Sequence, residues 1–195
     1  MNDRSALRFD AEVKERFSFL GDLGFHCVRA ESTFVRFESQ SASLNVYHGR
    51  QSFEIGLEIE PAPPDRDCFS FSEILRLVDR EQALHYRNYG THTLPGVAKG
   101  VHQLALLLER CIEGGILKDK QLFSRLRLQR EEFRQCYAVE TELVQARRKS
   151  ELAWRNKDYE AFIKALQPLR AALKATEVAK LKFAEKQIRR TGGDD

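Results

Sequence analysis

Apolar and polar residues alternate along residues 52–60. The apolar set is Phe53, Ile55, Leu57 and Ile59. Because successive side chains of a strand point to opposite faces, this pattern predicts a strand with one buried and one solvated face. Three shorter patterns of the same kind precede it, at residues 26–31, 34–38 and 43–47. The short breaks between them predict an antiparallel meander, since a parallel crossover needs about a dozen residues or more.

The break between the last two predicted strands reads His-Gly-Arg at residues 48–50. We expect Gly49 and Arg50 to form the tip of a hairpin, where Gly49 supplies the positive φ that tight turns need. His48 is then expected at the edge of this turn and not in a catalytic loop. In the preceding strand, the alternation places Val46 on the inner face and Tyr47 on the outer face.

Apolar residues at spacings of three and four predict helices in the rest of the chain. The predicted helices cover residues 10–23, 71–81, 95–113, 119–156 and 176–190, with a further short helix before Pro168. The sequence Ser-Phe-Ser-Glu at residues 70–73 has the form of a capping box, which marks the start of the second helix. Residues 84–95 show no period and predict a loop that carries two Tyr, two His and one Arg.

Together these elements predict an α+β fold. An N-terminal helix and a small antiparallel sheet of three to four strands are expected in residues 1–93. Residues 94–195 are expected to form a helical region that ends in a hairpin-like arm. With 42% hydrophobic and 31% charged residues in a chain of 195, the composition is typical of an ordered globular protein with its own core.

The charge is close to neutral overall but unevenly placed. A net charge of +3 does not by itself imply a nucleic-acid partner. Residues 1–100 carry 12 Lys+Arg and 15 Asp+Glu, whereas residues 101–195 carry 20 and 14. The C-terminal half is therefore the basic half.

The cysteines and the lack of long apolar runs predict the cellular compartment of the protein. Cysteines stand at positions 27, 68, 111 and 136 without a C-x-x-C pair, so neither a zinc knuckle nor a redox motif is expected. Four free thiols fit a reducing cytoplasm. No apolar run is long enough to cross a membrane and no secretory h-region is found, so we expect a cytoplasmic protein without a membrane partner.

Catalytic and metal-binding motifs are not found in the sequence. His85 and His92 lie seven residues apart in the loop, without an H-E-x-x-H spacing. There is no G-x-S-x-G, no glycine-rich phosphate loop and no locally activated cysteine. We therefore expect no catalytic residues, no metal, no cofactor and no enzyme activity. An enzyme becomes the better interpretation if hairpin and loop histidines converge with an acidic residue of the last strand. The residues concerned are His48, His85, His92, Glu54 and Glu58.

Polar groups on the outer face of the predicted sheet and in the loop at 84–95 are candidates for contact with a protein partner. Tyr and Arg contribute disproportionately at interface centres, and an antiparallel sheet with exposed edges is a common docking surface. The alternative is a solvated face whose cross-strand charge pairs contribute some tenths of a kcal/mol each. The predicted contact residues are Arg36, Tyr47, Glu54, Glu58, Tyr86, Arg87 and Tyr89.

The basic helices support a second hypothesis, binding of nucleic acid through the phosphate backbone. Acidic residues interrupt the first basic cluster, and no aromatic side chains suited to base stacking are interleaved with either cluster. Solvated helix faces often have this composition, so protein recognition is the preferred hypothesis. The residues of the nucleic-acid hypothesis are Arg125, Arg127, Arg130, Arg134, Lys182, Lys186 and Arg189.

Two segments resemble known families. Phe-x-Phe-Leu at residues 17–20, TFVRFES at 33–39 and LNVYHGRQSFEIGLEI at 44–59 resemble small uncharacterised bacterial helix-plus-meander proteins found among toxin-immunity and defence-associated genes. The resemblance covers about residues 10–80. It implies a cytoplasmic binding module without assigned catalytic residues, whose partner is a toxin or another defence component.

The segment AWRNKDYEAFIKAL at residues 153–166 resembles the helical hairpin of a tetratricopeptide repeat. The residues that carry this resemblance are Ala153, Asp158, Tyr159, Ala161 and Ala165. No second copy occurs at that period, and fewer than three repeats do not make a solenoid. A single helical hairpin is therefore expected.

Overall fold

A computed structural model describes residues 4–191 and confirms the α+β fold. The chain forms two compact units, one within residues 4–130 and one within residues 131–191. The first unit contains the whole sheet, and the second is helical. The long helix Leu122–Arg155 contributes residues to both units.

Four strands form the predicted antiparallel meander: β1 (His26–Glu31), β2 (Phe34–Glu38), β3 (Ala42–His48) and β4 (Glu54–Pro61). Two strands of two residues each, β5 (Phe69–Ser70) and β6 (Tyr89–Gly90), also pair with β4. These short strands carry no alternation long enough to be recognised in the sequence. They bring two distant loops to the same edge of the meander.

Two helices cover the inner face of the sheet. The first, α1 (Phe9–Arg16), is followed by a 3₁₀ helix at Ser18–Leu23, where a continuous helix was predicted. The second is the helix Leu94–Glu113, which buries an apolar stripe. Two short helices precede it in the chain, α2 (Phe71–Val78) and α3 (Arg80–His85). Side chains from the helices and the inner face form one core. Its fully buried members include Phe9, Phe17, Leu44, Val46, Leu57, Ile59, Val97, Val101 and Leu108.

The predicted capping box at the start of α2 is present, with Ser70 and Glu73 as its two members. The single helix predicted over residues 71–81 is instead two short helices. Asp79 has an extended backbone, and its carboxylate accepts a hydrogen bond of 2.8 Å from the Gln82 amide. An aspartate that caps a new helix in this way ends the preceding one.

The helix Leu94–Glu113 is α4, which begins one residue before the predicted start and has Thr93 as its N-cap. The Thr93 hydroxyl accepts a hydrogen bond from the Gly96 amide at 3.2 Å. The long helix Leu122–Arg155 is α5. In the second unit it is followed by α6 (Tyr159–Leu166), a 3₁₀ helix at Gln167–Ala172 and α7 (Ala175–Thr191). Their shared core contains Ala146, Ala153, Phe162, Leu166, Leu181 and Ala184.

The hairpin between β3 and β4 differs from the predicted tight turn. The Gly49 amide donates to the Glu54 carbonyl at 2.8 Å, and the Phe53 amide donates to the Gly49 carbonyl at 3.1 Å. The left-handed residue of this longer loop is Phe53, with φ 56°, so the prediction for Gly49 was wrong. A loop of this length needs its positive φ where the chain rejoins the strand. The Arg4 guanidinium covers the Phe53 ring at 4.3 Å from its centroid.

His48 lies in the core, where only 1% of its surface is exposed. Its Nε2 donates a hydrogen bond of 2.8 Å to the Thr91 carbonyl, and its ring stacks on Phe9 at 5.7 Å between centroids. Burial lowers the pKa of His48, and the nearby Arg4 guanidinium lowers it further. The imidazole is therefore neutral at pH 7 and acts as a core side chain.

Acidification is expected to destabilise the first unit through His48. Since the folded-state pKa lies below the ordinary value of 6.5, the folded chain binds fewer protons than the unfolded chain as the pH falls below about 6.5. The free energy of unfolding should therefore decrease from that pH down to the lowered pKa. Urea unfolding followed by circular dichroism between pH 7.5 and 5 measures this slope.

The variant His48→Gln should flatten the slope, because it removes the titrating group but keeps a donor for Thr91. His102→Gln is the matched control, since His102 is exposed on α4 and should leave the slope unchanged. A slope in His48→Gln equal to that of the natural chain would show that the buried imidazole does not control the acid response.

Candidate functional site

A pocket of about 440 Å³ lies in the first unit, where α3, β6 and α4 meet. Most of its apolar and aromatic residues are buried or half-buried and are called the centre below, whereas most of its polar residues are exposed and are called the rim. The central residues are Ile55, Tyr86, Tyr89, Gly100, Leu104 and Leu107, and the exposed Leu106 also lines the pocket. The rim residues are Gln82, His85, Arg87, Gln103 and Arg110. Three of the predicted contact residues, Tyr86, Arg87 and Tyr89, therefore line the same pocket.

The position of Tyr89 depends on a glycine of α4. Tyr89 pairs with Ile55 across β6 and β4, and both side chains lie against Gly100. A Cβ on Gly100 would stand 2.6 Å from the Tyr89 ring and 2.7 Å from the end of Ile55, which is closer than side-chain carbons approach. Gly100 thus lets the helix and the short strand meet, and the pocket forms beside this contact.

Tyr86 forms a fixed wall of the pocket. Its ring packs edge-to-face on Phe71 at 5.3 Å between centroids, and its hydroxyl donates to Asn88 Oδ1 at 3.0 Å. Burial raises the pKa of Tyr86, and the nearby Tyr47 and Glu54 raise it further. The phenol is therefore neutral and serves as a rigid aromatic surface with a committed hydroxyl.

The rim of the pocket carries positive charge without a carboxylate. Arg87 Nη1 donates to the carbonyls of Leu84 and Tyr86, at 3.1 and 2.6 Å. Arg110 and His85 are exposed on the helices at either side. No Asp or Glu side chain lines the pocket, and within residues 4–191 neither Arg87 nor Arg110 forms an ion pair.

The predicted residues of the outer sheet face do not line this pocket and form two groups. Arg36 donates to Glu38 at 2.7 Å, to Glu60 at 2.8 Å and to Ser43 at 2.9 Å, so its guanidinium is used within the sheet. The Tyr47 ring lies over Gly56, where a Cβ would come within 2.4 Å of it.

Tyr47 forms the second group with Glu54 and Glu58. Burial raises the pKa of Tyr47, and the charge of Glu58 raises it further. No ion pair of either glutamate is found among the described residues. This part of the outer face is therefore aromatic and acidic, opposite in charge to the rim of the pocket.

The histidines do not converge with the acidic residues of β4. His48 belongs to the inner face, whereas Glu54 and Glu58 belong to the outer face of the same sheet. His85 lines the pocket, and His92 contacts the Phe53 ring at 6.2 Å between centroids. Within residues 4–191 no three His, Cys, Asp or Glu side chains come together in a way that would hold a metal ion.

The arginines of α5 that supported the nucleic-acid hypothesis all have carboxylate partners. Arg125 pairs with Asp119 at 2.7 Å, and Arg134 approaches Glu131 at 4.0 Å. Arg127 binds Asp65 at 2.7 Å and Asp67 at 2.6 Å. Their charge is largely compensated within the chain.

Arg130 has the most contacts of the four. It donates to Glu73 at 2.7 and 3.0 Å and to the Cys68 carbonyl at 2.6 Å, and it covers the Phe69 ring at 4.2 Å. Burial alone would raise the pKa of Glu73, but the hydrogen bonds from Arg130 and Ser70 outweigh burial and lower it. Arg130 thus supports the capping box at the start of α2.

The second basic cluster is different. Lys182, Lys186 and Arg189 are exposed on α7 at spacings of four and three, which places them on one face of the helix. None of the three forms an ion pair with another described residue. Their charge is available to an anionic partner. Along the part of the chain that the structure describes, no helix is both long and apolar enough to cross a membrane.

The contribution of α4 to the pocket was not predicted. Leu104, Leu106, Leu107 and Arg110 line it, and none of them is among the predicted contact residues. A usable signal was present, because three consecutive leucines at 106–108 exceed what one apolar stripe of a helix requires. Leu106 is 41% exposed beside the pocket.

We expect the two neighbouring arginines of α5 to differ in their effect on stability. Arg130→Met removes two hydrogen bonds from a half-buried carboxylate and should lower the free energy of unfolding by about 1–3 kcal/mol. Arg127→Met is the matched control and should change it little, because exposed ion pairs are weak. Urea unfolding of both variants at pH 7 measures the difference. Equal effects would contradict a structural role specific to Arg130.

Comparison of this chain with protein families, with curated proteins and with solved structures found no match. Its function is therefore inferred from the geometry and charge of its own residues.

Proposed function

We propose that this chain is a non-catalytic module that recognises another protein through the pocket formed by α3, β6 and α4. The observation that carries the proposal is an apolar pocket whose walls are Tyr86 and Tyr89 and whose rim carries Arg87. Tyr and Arg are the residue types that most often dominate binding energy at the centre of an interface.

The surroundings of the pocket favour a protein over a small molecule. Leu106 is 41% exposed where it lines the pocket, so apolar surface of the pocket is open to solvent. A small-molecule site usually encloses most of its ligand. An apolar pocket that is open to solvent is typical of a surface that binds one anchoring side chain and is then covered by the rest of the partner.

The identity of the partner follows only from the resemblance of residues 10–80 to toxin-immunity modules. On that basis the partner is a toxin or another defence component, and the chain is an immunity-like accessory protein. Recognition through the pocket does not depend on this identity.

Site-specific photo-crosslinking in the cells that produce the protein tests the proposal. Benzoylphenylalanine in place of Leu106 should give an adduct of one defined mass that contains a second protein. The same label in place of Leu128, an exposed leucine of α5 that does not line the pocket, is the matched control and should give no such adduct. Absence of a protein adduct at position 106, or the same adduct at both positions, would contradict recognition through this pocket.

Nucleic-acid binding is the alternative function, and the exposed cluster of Lys182, Lys186 and Arg189 favours it. If these side chains neutralise phosphates, the triple Gln variant should reduce the slope of log affinity against log salt concentration by about 2–3. Fluorescence anisotropy with a labelled DNA duplex measures the slope.

The matched control for this cluster is the triple Gln variant of Arg125, Arg127 and Arg134, which removes the same charge from residues that already have carboxylate partners. It should change the slope less. Affinity for the duplex that does not depend on salt would rule the alternative out.

A further inference from the structure

The lining of the pocket is electrostatically one-sided. Two guanidinium groups, those of Arg87 and Arg110, stand at its rim, while the lining contains no carboxylate. This contrasts with four arginines of α5, Arg125, Arg127, Arg130 and Arg134, which have carboxylate partners within the chain. Neither Arg87 nor Arg110 has a carboxylate partner among the described residues.

We propose that the pocket binds a peptide segment in which an apolar or aromatic side chain stands next to a carboxylate side chain. The inference rests on the proposed function and names the chemistry of the partner segment. The apolar side chain enters the pocket, and the carboxylate contacts the arginines at the rim.

The apolar half of the recognition follows from the centre of the pocket. Ile55, Leu104 and Leu107 offer no hydrogen-bonding groups, and the Tyr86 hydroxyl is already bonded to Asn88. A polar side chain that entered here would lose its water without gaining a partner, which is unfavourable. An aromatic or branched aliphatic side chain meets no such cost and fills the volume.

The acidic half follows from the way Arg87 is held. Its Nη1 donates hydrogen bonds to the carbonyls of Leu84 and Tyr86, which fix the position of this nitrogen. A guanidinium has further donors on Nε and Nη2, and no other hydrogen bond of Arg87 is found within residues 4–191. The group is thus oriented by its own loop while two nitrogens remain for a carboxylate, which suits paired hydrogen bonds.

A basic segment is disfavoured for the same reason. A Lys or Arg next to the anchoring side chain would be placed beside Arg87 and Arg110 without a compensating carboxylate in the lining. Like charges brought together at an interface oppose binding and so contribute to specificity. The pocket should therefore discriminate between acidic and basic segments that share the same anchor.

Selection from a library of random twelve-residue peptides displayed on phage, with the full chain immobilised, tests the inference. Enriched peptides should carry an aromatic residue or leucine within two positions of Asp or Glu. The most enriched peptide is then synthesised with a fluorescent label, and its affinity is measured by anisotropy. Its two matched forms replace the acid by the corresponding amide or the apolar anchor by alanine.

Each matched peptide should bind about tenfold more weakly or worse, which corresponds to loss of a charge-assisted hydrogen bond or of the buried anchor. The double variant Arg87→Gln, Arg110→Gln should lose the preference for the acid and bind the acidic and amide peptides alike. Arg66→Gln with Lys120→Gln is the matched control, since it removes the same charge from exposed residues that do not line the pocket. Leu106→Gln should weaken every peptide that carries the anchor.

The failures of the two proposals are distinguishable. A library that yields no binder, binders without acidic residues, or binders unaffected by the Arg87 and Arg110 variant would overturn the inference about the peptide. A protein adduct at position 106 would in that case still support recognition through the pocket. Peptide binding without any protein adduct would instead leave the chemistry of the pocket supported and contradict the proposed function.

Discussion

Burial of the inner face of the meander against α4 is the constraint on which the first unit depends. The alternation along β4 gives that strand one apolar face, which cannot remain in water at low cost. The stripe of α4 that includes Val97, Val101 and Leu108 covers it, and the close approach at Gly100 brings β6 to the same edge. The helix, the strand edge and the loop at 84–95 are therefore positioned by one packing requirement.

The pocket forms beside this contact between α4 and the sheet. Leu106 and Leu107 of α4 line the pocket next to the buried stripe of the helix, and Leu106 is 41% exposed. Tyr86 and Tyr89 approach from the loop but do not fill the remaining volume, and Tyr86 is held by Phe71. The pocket therefore has a fixed aromatic wall and an exposed apolar residue, Leu106, as expected of a surface that is organised before its partner binds.

The arginines of the first unit serve two different purposes. Arg130 connects α5 to the capping box of α2. The Arg36 guanidinium binds Glu38 on its own strand β2, Ser43 on β3 and Glu60 on β4. These charges are compensated internally and stabilise the fold. Arg87 and Arg110 have no carboxylate within the described chain, so their charge is directed to solvent or to a partner.

Local sequence determined most of the secondary structure. The strands His26–Glu31 and Phe34–Glu38 begin and end at the predicted residues, because strand-forming side chains and turn residues act over a few positions. The same holds for the capping box at Ser70, and α4 begins within one residue of its predicted start. The α+β fold follows from these local signals.

Only the tertiary structure decided which distant residues meet. Arg130 and Glu73 are 57 residues apart in the sequence, and His48 is hydrogen-bonded to the Thr91 carbonyl 43 residues away. No local sequence pattern predicts either contact. The left-handed conformation of Phe53 and the assembly of the pocket from three separate segments have the same origin. Such contacts depend on the global packing of the core, whereas helices and strands depend on the spacing of neighbours along the chain.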